Sequence, residues 1–314
     1  GTVTGTVALT KIGTGTLTLS GNNTYTGATT LSAGTLKAGS ATGISSASTL
    51  NATGGVFDLN GYNATVAAVG VGNAAGTITN SASGSGTNTL TITNFTTDLA
   101  SLITDGATAK TAVTLYNNSA ATTLANSNNT FSGGLTLAGN NTRLYQGSVT
   151  NTLVNGTLTK SNFGTGTVYI GANGSTAAGQ LMLNSGSVYN NIIVNAATYS
   201  DGGRAAFRID GSGIQLYGTL TAGASDISLS NGSGTGSATA YGQLTGTNGL
   251  LLNPSQGTAF TLTLANTANA ANNYSGNTTT KISDHTKPSS GSSSVPKTFS
   301  LILFISIWKY LHMV

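Results

Sequence analysis

A solenoid built only from short β-strands is the fold class this sequence predicts, and three observations carry it. Apolar residues alternate with Thr or Ser over runs of four or five, as in Thr16-Leu17-Thr18-Leu19, TLTIT at 89–93 and DISLS at 226–230. Side chains alternate faces along a strand, so each run offers one apolar face to a core and one polar face to water. The runs are bounded by Gly and Asn, which turn a chain cheaply because they tolerate conformations that other residues resist. Helix formers are scarce: of 314 residues 44 are Gly, 6% are charged and none is Glu. The persistence of the alternation separates this chain from a disordered polar one.

The pattern is sharpest at residues 13–39, GTGTLTLSGNNTYTGATTLSAGTLKAG. Leu17 and Leu19 face one way and Thr16 and Thr18 the other, Gly21-Asn22-Asn23 turns the chain, and Tyr25, Leu31 and Leu36 continue the inward set. Gly27 and Gly34 fall at corners where a Cβ would clash. Three strand-and-corner steps in this length predict one coil of the solenoid. A looser copy, TTLANSNNTFSGGLTLAG at 122–139, puts Leu124, Asn129, Phe131, Gly133, Leu135 and Leu137 in the same roles. A third, from FTLTLAN to NNYSGNTTTKI near 260–282, supplies Leu262, Leu264, Asn273, Tyr274, Gly276, Thr279 and Ile282. Leucine-to-aromatic spacing grows from Leu19–Tyr25 to Leu124–Phe131 to Leu264–Tyr274, which places insertions in the intervening corner.

Gly15, Leu17, Leu19, Gly21, Asn23, Tyr25, Gly27, Thr29, Leu31, Gly34 and Leu36 together resemble the autotransporter passenger-associated strand repeat. The resemblance implies a right-handed parallel β-helix, exported across the outer membrane of a Gram-negative bacterium as part of a larger surface protein. It further implies a translocator barrel elsewhere in the full-length protein, and a repeat that aids folding and secretion rather than carrying an activity. Leu17, Leu19, Tyr25, Phe131 and Tyr274 are then the structural anchors of the repeat.

Between the copies, the chain continues in the same style. Val56-Phe57-Asp58-Leu59, Val66 to Val71, Thr77-Ile78-Thr79, TVYIG at 167–171, QLML at 180–183 and GIQLYG at 213–218 all read as strands. Phe95, Leu99, Leu102 and Ile103 also fit helical spacing, but the surrounding strands favour a strand at Leu102–Thr104 turning at Asp105-Gly106. Residues 1–284 are therefore one β-helix domain. Residues 285–314 differ: a Ser/Pro-rich linker, KPSSGSSSVPK, precedes TFSLILFISIWKYLHMV, whose apolar run is shorter than the ~20 residues a membrane-spanning helix needs. This tail is expected to be foreign to the fold, as a frame-shift product or a peripheral membrane-binding segment. The chain opens at Gly1 on a strand pattern with no signal peptide in view.

Composition narrows the chemistry. Without Cys there is neither a disulfide nor a thiol metal site. The net charge of +4 resides largely in Lys287, Lys297 and Lys309; the remainder holds 8 basic and 7 acidic residues with no basic cluster, which argues against nucleic acid. Both His residues, His285 and His312, fall in the tail, so no Ser of the body has an imidazole base. GVGNAA at 70–75 matches a dinucleotide pattern, yet a strand pattern resumes at Gly76-Thr77-Ile78-Thr79, where a phosphate-binding helix should begin. Asp58, Asp98, Asp105 and Asp226 are expected to shape turns. The Asn runs at 22–23, 117–118, 128–129, 140–141, 190–191 and 272–273 read as corners or ladders rather than glycan contacts.

One stretch has chemical potential, DGGRAAFRIDG at 201–211. If it is a strand, Ala205, Phe207 and Ile209 face the core, while Arg204, Arg208 and Asp210, with Asp201 on the preceding corner, share an outer face. Such a group could hold an acidic sugar through Arg–carboxylate pairing. The reading is a structural or adhesive, non-enzymatic stalk without cofactors, whose partners are host or matrix glycans or proteins. The alternative is a carbohydrate-active β-helix enzyme, a polysaccharide lyase or glycosidase. Ice binding, suggested by Thr-x-Thr at 14–16, 16–18, 89–91, 91–93 and 261–263, demands a regularity that the insertions deny.

Overall fold

Stacked parallel strands wind through a computed structural model that describes residues 1–70, 73–116, 122–139, 142–146, 148–175, 179–196, 207–231, 236–252, 260–265, 272–273 and 278–280. Tyr274 and the tail from 285 lie outside the described residues. Predicted alternations become the strands Thr16–Leu19, Thr35–Ala38, Val56–Asp58, Thr77–Thr79, Val168–Ile170, Gln180–Leu183, Ile214–Leu216 and Ile227–Ser230, whereas the described part of Val66 to Val71 divides at a corner between Ala64–Val66 and Ala68–Val69, which belong to different sheets. The segment with competing helical spacing contains a strand at Leu102–Ile103, with Phe95, Leu99 and Ile103 buried. Among the described residues the only helical turn is the three-residue 3-10 segment Asn73–Ala75.

Strand pairing defines the solenoid. The longest sheet has eight strands in steady succession. Its inward column runs Ala64, Leu90, Val113, Leu135, Val168, Ile192, Leu220, Leu244, and every member is buried. The coil therefore returns to the same face after 22 residues from Val113 to Leu135, but after 33 from Leu135 to Val168. Two sheets build the other walls near the N-terminus and two more build them further on. A continuous apolar core from Leu31 to Leu262 fills the interior. Burial of that column supplies the main driving force, at roughly 25 cal/mol per Å² of apolar surface removed from water.

One expectation is corrected. Residues 13–39 make more than one coil, because Leu17 pairs directly with Leu36 on the next rung. The reason lies on the third side: residues around Asn23–Thr26 form a wall without regular strand geometry. There Thr24 donates its N–H to Val3 O at 2.9 Å and Thr26 to Gly5 O at 2.9 Å. Leu17 and Leu19 are half-buried rather than buried because Thr16–Leu19 is the edge strand of its sheet.

The departure in coil length at 135–168 contains a hairpin. Asn151–Val154 and Thr157–Ser161 pair antiparallel, whereas the other described pairings between strands are parallel. Asn155 at φ 50° and Gly156 at φ 79° make the turn, the left-handed pair that a two-residue hairpin requires. Leu153 and Val154 are exposed near its tip.

Candidate functional site

Of the repeat anchors, Tyr25 and Phe131 belong to the core. Tyr25 is fully buried, and its hydroxyl lies 2.7 Å from Thr29 Oγ1, which is 2.8 Å from Ser48 Oγ. Ser48 donates in turn to Gly27 O at 2.8 Å, so a buried hydroxyl chain ties successive rungs together. Phe131 is equally buried. Gly27 sits so close to the preceding rung that a Cβ would stand 2.4 Å from Val7 O.

Carboxylates and amides that read as turn formers act between rungs. Asp105 accepts the N–H of Thr111 at 2.7 Å, and both the N–H and the hydroxyl of Ser132, the latter at 2.6 Å. Asp98 accepts from Thr123 N–H and Asp226 from Gly249 N–H. Asp58 accepts from Asn60 N–H and from Ser81, with Lys37 Nζ at 3.7 Å. Asn23 takes the N–H of Val3 and gives its amide hydrogen to Gly43 O at 2.6 Å, and Asn190 donates to Gly164 O and Gly166 O. Each carboxylate so engaged offers little to a substrate.

Arg208 and Asp210 are the described part of the patch predicted at 201–210; Asp201 and Arg204 lie outside the described residues. Phe207 and Ile209 are buried on either side of Arg208, as alternation requires. Arg208 Nε donates to Asp210 Oδ1 at 2.5 Å, with the two side chains 23% and 12% exposed. The pair is thus half-buried instead of open to solvent. Arg208 stands in register between Met182 and Ser230, both buried although they point away from the core. A close pair in such a setting satisfies its own charges.

The outer side of the eight-stranded sheet holds an open groove of about 600 Å³, lined among others by Thr89, Thr91, Thr114, Tyr116, Thr136 and Tyr169. Thr65, Thr91, Thr114 and Thr136 align across four rungs, and then Tyr169 and Ile193 interrupt the column. This surface can hydrogen-bond but carries no acid, base or activated nucleophile. Among the described residues no group of three His, Cys, Asp or Glu converges, and no helix is long and apolar enough to cross a membrane. In the described part of the dinucleotide-like stretch, a single 3-10 turn at Asn73–Ala75 precedes the strand Thr77–Thr79.

Two features escaped sequence reasoning. The hairpin is signalled by Val154-Asn155-Gly156-Thr157, a strong turn signature that shares its Asn-Gly wording with corners elsewhere in the chain. The other is a stack of tyrosines. Tyr189 and Tyr217 rings are 4.5 Å apart and 9° from parallel; Tyr217 and Tyr241 are 4.8 Å apart at 10°. Each ends a strand in the same manner, as Val188-Tyr189, Leu216-Tyr217 and Ala240-Tyr241, and that wording is legible once strand ends are aligned.

Residues 9–38 match the family model of the passenger-associated-transport-repeat. The match spans the strands Leu9–Lys11, Thr16–Leu19, Thr29–Leu31 and Thr35–Ala38, the segment that resembles the autotransporter repeat. No curated protein and no solved structure matches the chain.

Proposed function

We propose that this chain is a surface-displayed stalk of an autotransporter-type passenger, in which the strand repeat at 9–38 aids folding and secretion and the outer faces serve adhesion. The observation that carries the reading is the core, continuous from Leu31 to Leu262 beside a matching passenger repeat. A solenoid of this kind gains stability rung by rung, so folding can propagate from one end as the chain emerges. Its described aspartates are spent on backbone N–H groups and a close Arg208 pair, which favours a scaffold over catalysis.

The test is export. The chain would be fused between a secretion leader and a translocator barrel in a Gram-negative host, and surface display read by protease accessibility on intact cells. Leu17→Asp and Tyr25→Asp should each lower display severalfold while the Arg208→Gln variant matches the parent. Equal display of all variants would sink the role given to the repeat. Turnover of pectate, alginate or chondroitin by the purified chain, abolished by Asp210→Asn, would replace the stalk with the enzyme reading.

A further inference from the structure

The tyrosine stack stands on a wall of its own. The four-stranded sheet made by Ser187–Val188, Ile214–Leu216, Gly236–Ala240 and Phe260–Leu264 turns two outer columns to solvent. One is Ser187, Gln215, Thr239, Thr263 in register. The other, just beyond the strand ends, is Tyr189, Tyr217, Tyr241, held by Tyr217 N–H to Val188 O and Tyr241 N–H to Leu216 O, both at 2.8 Å. Tyr217 is 37% and Tyr241 38% exposed, high values for rings already covered on a face by stacking. What they show to water is ring edge and hydroxyl, repeated at the rung spacing.

The neighbouring column is pre-set to meet a polyol. Gln215 Oε1 accepts from the Tyr217 hydroxyl at 3.1 Å and from the Ser187 hydroxyl at 3.0 Å. Both acceptances fix the amide, and its Nε2 donors, which have no partner in the protein among the described residues, point away from that oxygen. Along these two columns every functional group is a hydroxyl, an amide or a phenol, and none is charged. Burial, the adjacent Tyr189 and Tyr241 and a hydrogen bond with Tyr189 keep the Tyr217 phenol neutral beyond its usual range.

We infer that the Tyr189–Tyr217–Tyr241 stack with Gln215 is a binding strip for a neutral, linear polysaccharide lying along the solenoid axis. Charge decides the class: a polyanion finds no cation on the strip, and a polycation no carboxylate. Geometry decides the direction, since hydroxyl-bearing residues repeat every 4.5–4.8 Å, close to the advance of one hexose unit. Single hydrogen bonds to sugar contribute little net energy in water, so recognition must come from several aligned units. The strip gives a ligand class to the adhesive part of the stalk reading and rests on it only in that respect.

Isothermal titration of the purified full chain would use cellohexaose and mannohexaose as neutral probes, with their disaccharides and polygalacturonate as comparisons. At least one hexasaccharide should bind at least tenfold more tightly than its disaccharide, with no dependence on salt. Tyr217→Ala should weaken binding at least tenfold, Tyr217→Phe and Gln215→Ala severalfold, each with unchanged circular dichroism. Absence of binding by both hexasaccharides, binding untouched by Tyr217→Ala and Gln215→Ala, or a salt-sensitive preference for polygalacturonate would each overturn the strip. Those failures leave display on cells unaffected, so they are distinguishable from failure of the stalk.

Discussion

Asn129 shows how much one residue does for this fold. Fully buried, it accepts the N–H of Ile103 at 2.8 Å from the rung before, and donates to Asn126 O at 2.8 Å and Asn162 O at 3.0 Å. Asn129→Ala would strand the Ile103 N–H and the Asn162 carbonyl away from water, and unpaired buried groups are costly, so a loss of about 2–4 kcal/mol is expected in urea unfolding. A midpoint unchanged within error would mean that water replaces the amide. Tyr217 carries a different signature. Its folded pKa is raised from the usual phenol value near 10, first by burial and then by Tyr189 and Tyr241. The neutral ring therefore contributes stability that is fully present below that unfolded value and is lost as pH rises through the folded one. Ultraviolet titration of tyrosinate should show Tyr217→Phe deleting a component that ionises later than free tyrosine. If the deleted component ionises at the ordinary pH, the stack does not hold its protons.

At the scale of elements, the alternations were legible because each strand reports its own inward face: Phe207 and Ile209 are buried and Arg208 lies between them, as spacing alone requires. Partners across rungs were not legible, because the return distance varies from 19 residues between Thr16 and Thr35 to 37 between Arg143 and Gln180, and no local signal fixes it. Hence Asp105 could be read as a turn former, but not as the clamp on Ser132 one rung ahead. The same gap hid the half-burial of Arg208 between Met182 and Ser230. The hairpin at Asn151–Ser161 is an element the solenoid can do without. Its residues 152–157 are exposed, while Asn151 and Ser161 at its base hold Ser187 O and Asn129 O. Replacing 152–160 by a short Gly-rich link, with both base residues kept, should leave the melting temperature within a degree or two, since little apolar surface is lost. A large drop would show that the hairpin braces the coil.

For the molecule as a whole, stability is approximately a sum over rungs and their interfaces, and this makes the length of a deletion matter less than its phase. Thr29 pairs with Leu50, 21 positions later, and each stands in the same column as Leu9. Removing 29–49 thus takes out one whole coil and brings Leu50 over Leu9, while Val56 meets Thr16, the partner of Thr35 in the parent. Inward residues stay inward, and the rod should fold with its β-sheet circular dichroism per residue preserved and its length shortened by about 4.8 Å. Removing only 29–38 deletes half that length but brings the corner after Ala38 onto the strand Leu9–Lys11, so the apolar column is broken. The shorter deletion should be the more damaging, with early protease cleavage near the N-terminus and resistance retained beyond Leu90, because rungs further along keep their own neighbours. Limited proteolysis followed by mass mapping separates the cases. Greater damage from the longer deletion would show that stability scales with the amount of chain removed and not with coil register.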